Sequence, residues 1–535
     1  MNRTVLIGLD GATFSILDPL MREGLMPFLA ELTTKGVRAT LLSTPNPLTP
    51  PAWTSLMTGR TPGNHGIFDF LIPQETEHGV FLKLLSGRDI QCETVWALVS
   101  RHGGKIAALN FPMTYPLRSV TGYVVPGFMP PRQLKRSIQP AGWYEQLAQF
   151  PWFQARELAM DLEREKAGIQ GLPPEDYADW VRLHIRRERQ WRELLRWVMC
   201  NDPCDLTAVL FDGVDRIQHL TWRFLDPECF PPVPTPWERE IRTLCRDYFR
   251  ELDEHLRAAV ELAGPDARVF LASDHGFGPS VEVFYLNVWL QQHGYLQWGS
   301  EAALDTEEGI LARRMKTQYG LLDWAKTVAY ALTPSCNGIY IRVARRPGRP
   351  GVPPDAYESF RAELINKLLS FPDPESGEPV VRRVMTREEA FPGDYMHLAP
   401  DLTLVLRDYG FISVLNADAP LKRRSEPKGM HRPEGIFLAA GPGIKRGVVV
   451  PPLSIVDVTP ALLYSLGLPI PADFEGRLPR EIFADAVLQG RPPVYGEATG
   501  VRRASLTPDP AKASVLESDQ EEAVLSRLRA LGYVE

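Results

Sequence analysis

Val5-Leu-Ile-Gly-Leu-Asp10 is an unbroken apolar run that stops on a carboxylate, and the chain uses the same device again. Val269-Phe-Leu-Ala-Ser-Asp274-His275 closes a second run on an aspartate and a histidine, and Asp215-Arg-Ile-Gln-His219 follows the run from Leu206 to Phe211. Short runs this rich in Val, Ile and Leu predict strands buried on both faces. Working outward, the pattern predicts strands over residues 5–9, 106–109, 207–211, 269–272, 339–341, 402–406 and 436–439. Between them, periodic stretches predict helices over 26–35, 93–101, 177–198 and 236–262. Strands alternating with helices predict an α/β fold, a three-layer α/β/α sandwich around a mostly parallel central sheet. Ligands of such sheets gather beyond the carboxyl ends of the strands, where Asp10, Asp274 and His275 fall.

At 535 residues, the chain is long enough for a large core, and its 44% hydrophobic and 23% charged content is that of a soluble globular protein. A net charge of -7 gives no global attraction to nucleic acid, so no nucleic-acid polymer is expected as a partner. Met1-Asn-Arg-Thr runs directly into the first strand, so no secretory leader is expected, and no apolar stretch is long enough for a transmembrane segment. The six cysteines are sparse and irregular; Cys200 and Cys204 have no second pair to complete a zinc knuckle. Free thiols of this kind fit a cytoplasmic protein. The expected organisation is a catalytic domain over 1–490 with insertions at about 130–200 and 300–350, then a tail over 491–535 with a short helix at 521–531. The arginines of the 177–198 helix alternate with Glu and Trp, which reads as a packed helix with a solvated basic side.

Four further observations concern chemistry. Thr49 is followed by Pro50 and Pro51, and a helical run then ends at Thr58-Gly59. Proline suits a first helical turn and glycine a helix end, so Thr49 reads as the N-cap, its hydroxyl facing amides that also bind phosphate oxygens. Asp274 and His275 stand side by side where a strand ends. Asp215 and His219 are four apart, and a helical turn puts them on one face. His431 stands alone in Lys428-Gly-Met-His-Arg-Pro433, read as a loop. Singly, these are a cap, a strand end, an ordinary polar pair and a surface histidine. Together they form a set of carboxylates and imidazoles suited to borderline divalent cations such as zinc, with a hydroxyl placed for metal-activated attack on a phosphate-type ester.

The segments Ile7-Gly-Leu-Asp10-Gly11, Thr49 with Gly59 ten residues on, His65-Gly-Ile, Asp215-x-x-x-His219, Ser273-Asp-His-Gly276 and His431 occur in an order that resembles the alkaline phosphatase superfamily. Within it, the chain is similar to the type I phosphodiesterase/nucleotide pyrophosphatase family. The resemblance implies an alkaline phosphatase-like sandwich and a phosphoric (di)ester hydrolase acting on a small-molecule phosphate ester. It also implies two divalent metal ions, zinc with manganese as the alternative. Asp10, Thr49, Asp274 and His275 would hold one ion, and Asp215, His219 and His431 the other. Thr49 would be the nucleophile and would pass through a phospho-threonine.

One departure stands out: the asparagine that relatives carry after the His-Gly motif, to hold a phosphoryl oxygen, falls at Phe70. Asn46, Asn110 or the Thr49 amide are the candidates to replace it. Trp53, Phe70, Phe111 and Tyr115 are candidates for a specificity wall. The alternatives are a phosphomonoesterase or a phosphonate or sulfate ester hydrolase of the same superfamily, and, further off, a non-catalytic metal-binding protein. A sulfatase is disfavoured, because Thr49-Pro-Pro-Ala-Trp53 contains neither the convertible Cys or Ser nor the arginine that sulfatases need.

Overall fold

The computed structural model describes residues 3–75, 80–116, 120–160, 172–299, 322–333, 336–345 and 348–499. Residues 300–321 of the insertion expected at about 300–350, and the terminal helix expected at 521–531, lie outside the described residues.

Thr4–Leu9 is the middle of a nine-stranded sheet. It pairs in parallel with Leu206–Phe211 on one side and Arg268–Ala272 on the other. Ile106–Leu109 and Gly122–Val125 extend the first side in parallel. On the other side come Glu434–Ala440, which runs against its neighbours, then Val37–Leu42 with the short strands Val448–Val449 and Leu453–Ser454. The sheet is therefore mostly parallel, with one reversed strand.

Why the strands read as continuous apolar runs is visible at Thr4–Leu9. Val5, Ile7 and Leu9 point into a core shared with the helices Phe14–Arg22, Pro27–Lys35, Tyr177–Asn201, Gly213–Leu225 and Pro236–Ala263. Leu6 points to the opposite core, under the helices Thr49–Thr58, Val95–Arg101 and Val458–Leu466. Both faces are covered, giving the three-layer α/β/α sandwich. The helix ends follow local chemistry. Thr94 caps Val95–Arg101, and Thr235 with Glu238 forms a capping box at the start of Pro236–Ala263.

Two expected strands lie elsewhere. Gly338–Ile341 and Leu402–Leu406 pair antiparallel in a separate four-stranded sheet with Ala329–Tyr330 and Val381–Thr386, over their own apolar core. A short apolar run reports burial on both faces but not which sheet it joins. A third sheet pairs Gly276–Tyr285 antiparallel with Leu421–Arg432, and parallel with Ile412–Ser413. The polypeptide thus leaves the central sheet after Ala272, builds these two sheets, and re-enters as Glu434–Ala440.

The Arg-rich helix mostly carries surface ion pairs, Arg186 with Glu157 and Arg189 with Glu251 among them. Arg187 departs from that pattern, being buried beside Asp212 at 3.6 Å.

Asp69 ties the segment after the helix Thr49–Thr58 to the segment that follows Ala329–Tyr330 of the four-stranded sheet. Its carboxylate accepts the Thr333 hydroxyl, and burial pushes its pKa up to about 7 against the lowering effect of that bond and of the Phe70 amide. A carboxyl with a native pKa above its unfolded one costs stability once pH passes the unfolded value, and the cost stops growing near the native pKa. Asp69→Asn should therefore gain stability on the parent between about pH 4 and 7, by up to roughly 1.4 kcal/mol for each pH unit, with no further gain above. Denaturant unfolding at pH 4, 5.5 and 8 measures this; a difference that ignores pH would contradict it.

Candidate metal centre

The sheet register carries the first acidic groups to one edge. Gly8 pairs with Ala272, so the chain beyond brings Asp10 level with Asp274. Leu9 pairs with Phe211, and the helix Gly213–Leu225 starts almost at once, presenting Asp215 and His219 one turn apart. Gly11 makes the turn after Asp10. Its φ is +65°, and a Cβ there would meet the Phe277 ring at 2.5 Å, so a larger residue is both strained and obstructed. The Gly11 amide donates to Asp274 Oδ1 at 3.0 Å, and Gln218 Nε2 donates to the Gly11 carbonyl at 2.8 Å.

His431 is not in a loop. It lies in the strand Leu421–Arg432, paired with Phe277 of Gly276–Tyr285, and this pairing fixes it beside His275. Their rings stack with centroids 3.6 Å apart. Phe277 and Phe411 flank His431 at 5.1 and 4.8 Å.

All three histidines use Nδ1 in the same way. His219 donates to the Gly429 carbonyl at 2.9 Å, His431 to the Pro47 carbonyl at 2.7 Å and His275 to the Gly276 carbonyl at 3.2 Å. Carbonyls only accept, so this sets the tautomer and leaves each Nε2 a lone pair. These nitrogens converge on carboxylates. His219 Nε2 and His431 Nε2 are 3.1 Å apart, and lie 3.5 and 3.2 Å from Asp215 Oδ1. His275 Nε2 is 3.3 Å from Asp274 Oδ2, 3.7 Å from Asp10 Oδ1 and 4.0 Å from Asp215 Oδ1. Two lone pairs that face each other repel unless a cation lies between them. Tetrahedral ligands at zinc-like bond lengths of about 2.0–2.1 Å stand roughly 3.3 Å apart, close to these separations.

The electrostatics agree. Burial, then the charges of Asp274 and Asp215, raise the Asp10 carboxyl well above the usual carboxylate range. Asp274 is raised chiefly by burial too. Burial lowers His219 to about 4 and holds His275 well below its ordinary value, so both imidazoles are neutral. Asp10 Oδ1, Asp215 Oδ1, Asp274 Oδ2 and His275 Nε2 are buried without a hydrogen-bond partner among the described residues. Buried orphans of this kind fit divalent cations. Asp10, Asp274 and His275 form one candidate ligand group and Asp215, His275 and His431 another, so His275 lies between the two.

Thr49 differs from expectation by one position. The Ala52 amide reaches the Leu48 carbonyl, so Leu48 is the N-cap and Thr49 the first helical residue, with no side chain capping the helix. Its chain neighbours reach the acidic edge. Pro47, two residues before, accepts from His431, and Trp53, one turn on, donates its indole N–H to Asp10 Oδ2 at 3.3 Å. Trp53 and Phe111 are fully buried and pack edge to face at 5.3 Å, so they support Asp10 from below and form no substrate wall. His65 is also structural: its Nε2 meets Ser55 Oγ at 2.9 Å and its Nδ1 accepts the Ile67 amide. Trp53 and Gln218 as supports of Asp10 and Gly11 were missed in the sequence, since no local pattern marks a residue whose partner is distant.

A mostly parallel, double-covered sheet thus carries carboxylates and imidazoles at the carboxyl edge of its strands. Residues 4–434 match the type I phosphodiesterase / nucleotide pyrophosphatase family, and the chain belongs to it. The family is metal-dependent. Among solved structures, murine ectonucleotide pyrophosphatase / phosphodiesterase 5 is similar at TM-score 0.53 and 14% identity, covering 90% of this chain and 100% of its own. Its inactive threonine-to-alanine variant, in complex with AMP, gives 0.51 and 13%, covering 92% and 100%. Phosphonoacetate hydrolase from Sinorhizobium meliloti 1021, in complex with phosphonoformate, gives 0.51 and 16%, covering 87% and 95%. At these identities the likeness is one of fold. No curated protein matches the chain. Among the described residues no helix is long and apolar enough to cross a membrane.

Crowded buried carboxylates are costly without a cation. Asp10→Asn should raise the melting midpoint of chelator-treated protein while lowering its retained metal. Scanning fluorimetry with elemental analysis measures both, and a midpoint that falls in stripped protein would contradict the charge argument.

Proposed function

We propose that the chain is a phosphodiesterase of nucleotide-pyrophosphatase type that attacks small phosphate esters with the Thr49 hydroxyl and holds two divalent ions, zinc with manganese as the alternative. Asp10, Thr49, Asp274 and His275 hold one ion, and Asp215, His219 and His431 the other. The observation that carries the reading is the mutual spacing of His219 Nε2, His431 Nε2 and Asp215 Oδ1, 3.1 to 3.5 Å, with every Nδ1 tied to a carbonyl. When bound, such ions act as Lewis acids on phosphoryl oxygens and ease ionisation of a nearby hydroxyl.

The chain's own residues do the rest. Thr49 stands at the start of a fully buried helix, and the two prolines after it fix its backbone. Its oxygen bonds to phosphorus as the leaving alcohol departs, and water then cleaves the phospho-threonine, dividing one displacement into two. The inactivity of the murine enzyme's threonine-to-alanine variant supports this role for Thr49, and its AMP complex supports a nucleotide-type ester as substrate. Phosphonoformate in the bacterial hydrolase keeps phosphonates in the substrate class. The six cysteines form no disulfide among the described residues and four of them are buried, which favours a cytoplasmic location.

Active protein should contain close to two divalent ions per chain and lose turnover of bis-nitrophenyl phosphate on chelation. Thr49→Ala should keep most of its metal and lose turnover by orders of magnitude, while Thr49→Ser retains part of it. Parent-like turnover by Thr49→Ala would reassign the attack to water. A panel of monoesters, diesters and phosphonates, assayed with the parent, sets the preference among ester classes.

A further inference from the structure

Position 70 offers nothing to a phosphoryl oxygen. Phe70 is buried in an apolar cluster with Leu48, Leu71, Phe128 and Met160, and its own amide donates to Asp69 Oδ1. Asn110 is committed as well: its Nδ2 donates to the Leu210 carbonyl at 2.9 Å, holding one strand of the central sheet to the next. The donors of the Thr49 helix start are few, because Pro50 and Pro51 have no N–H and the Ala52 amide is paired with Leu48. That leaves the Thr49 amide alone on the first turn.

Asn46 is different. It is 4% exposed, and its Nδ2 is buried with no hydrogen-bond partner among the described residues. The backbone around it is tightly held. The Asn46 carbonyl accepts Thr44 Oγ1 at 2.6 Å and the Leu48 amide at 2.8 Å, and this three-residue turn holds the backbone at Asn46 just before the helix start. The next carbonyl, Pro47, accepts His431 Nδ1, so the same loop is fastened to the candidate metal centre. A buried amide N–H with no acceptor is costly, a cost removed when an acceptor arrives.

We propose that Asn46 Nδ2 donates to a non-bridging oxygen of the phosphoryl group attacked by Thr49, replacing the side chain that relatives supply from the position of Phe70. The assignment rests on Thr49 as the nucleophile. Asn46 and the Thr49 amide then form a two-donor cradle on one short loop, ordered before substrate arrives. A donor aimed at charge that grows during attack acts more on kcat than on KM.

The test compares Asn46→Ala, Asn46→Asp and Thr49→Ala with the parent, each loaded with zinc and checked for metal content and melting midpoint. Turnover of bis-nitrophenyl phosphate and binding of orthovanadate are measured on all four. The expected result is that Asn46→Ala keeps its metal, loses about 100-fold in kcat with a smaller change in KM, and binds vanadate more weakly. Asn46→Asp keeps the side-chain volume, so it covers the case in which the alanine variant does not fold, and its added negative charge should deepen the loss. If either folded variant keeps kcat within about threefold of the parent and binds vanadate equally well, while Thr49→Ala is inactive, Asn46 has no such role and the nucleophile assignment stands. If Thr49→Ala also turns over normally, the nucleophile reading has failed and this one with it.

Discussion

Three carboxylates, Asp10, Asp215 and Asp274, are brought to one edge of a sheet and buried there together, and nothing in the polypeptide neutralises them fully. Arg216 stands near Asp10 and lowers its pKa slightly, but its guanidinium is paired with Asp212 at 2.9 Å. The imidazoles around them are neutral, held so by burial. Such an arrangement persists in a stable fold only because a large hydrophobic structure on both faces of the sheet outweighs it, or because cations occupy the gap. The constraint explains the density of fixed contacts at the edge: the Gly11 amide on Asp274, the Trp53 indole on Asp10 and three imidazoles anchored by backbone carbonyls. Each removes rotational freedom from a group that would otherwise swing away from its like-charged neighbours.

The second consequence of that edge is architectural. Asp274 and His275 stand where the chain leaves the central sheet, and His431 stands just before it returns as Glu434–Ala440. The strand pairing of Leu421–Arg432 with Gly276–Tyr285 joins departure to return, so His431 and His275 are placed by one ladder of backbone hydrogen bonds. From the opposite side comes the helix Thr49–Thr58, its whole length buried under the other face of the sheet, and its Trp53 reaches Asp10. Groups from both cores meet at the centre.

Much of this was legible in the sequence because strand edges are local events. An apolar run ending on Asp10 or on Asp274-His275 announces both the strand and the ligand-bearing end, and the four-residue spacing of Asp215 and His219 announces a helical face. The rest depended on pairing between distant segments. His431 read as a loop residue because Gly429 and Pro433 surround it, whereas its strand is imposed by Gly276–Tyr285. The runs at Gly338–Ile341 and Leu402–Leu406 were as apolar as those of the central sheet, and only their antiparallel partners assign them elsewhere. Thr49 missed the cap position by one residue because the Ala52 amide chose the Leu48 carbonyl, a distinction made by backbone angles that residue type does not encode.

The joined departure and return of the chain also make the centre a long-range structure. Asp10 and Asp215 lie about 200 residues apart in the chain, and His275 and His431 roughly 150, so each of these meetings is a contact of high sequence separation and slow to form. The edge is complete only when the central sheet and the pairing of Gly276–Tyr285 with Leu421–Arg432 have both formed, so a probe of the assembled edge reports on the whole fold rather than on one part of it.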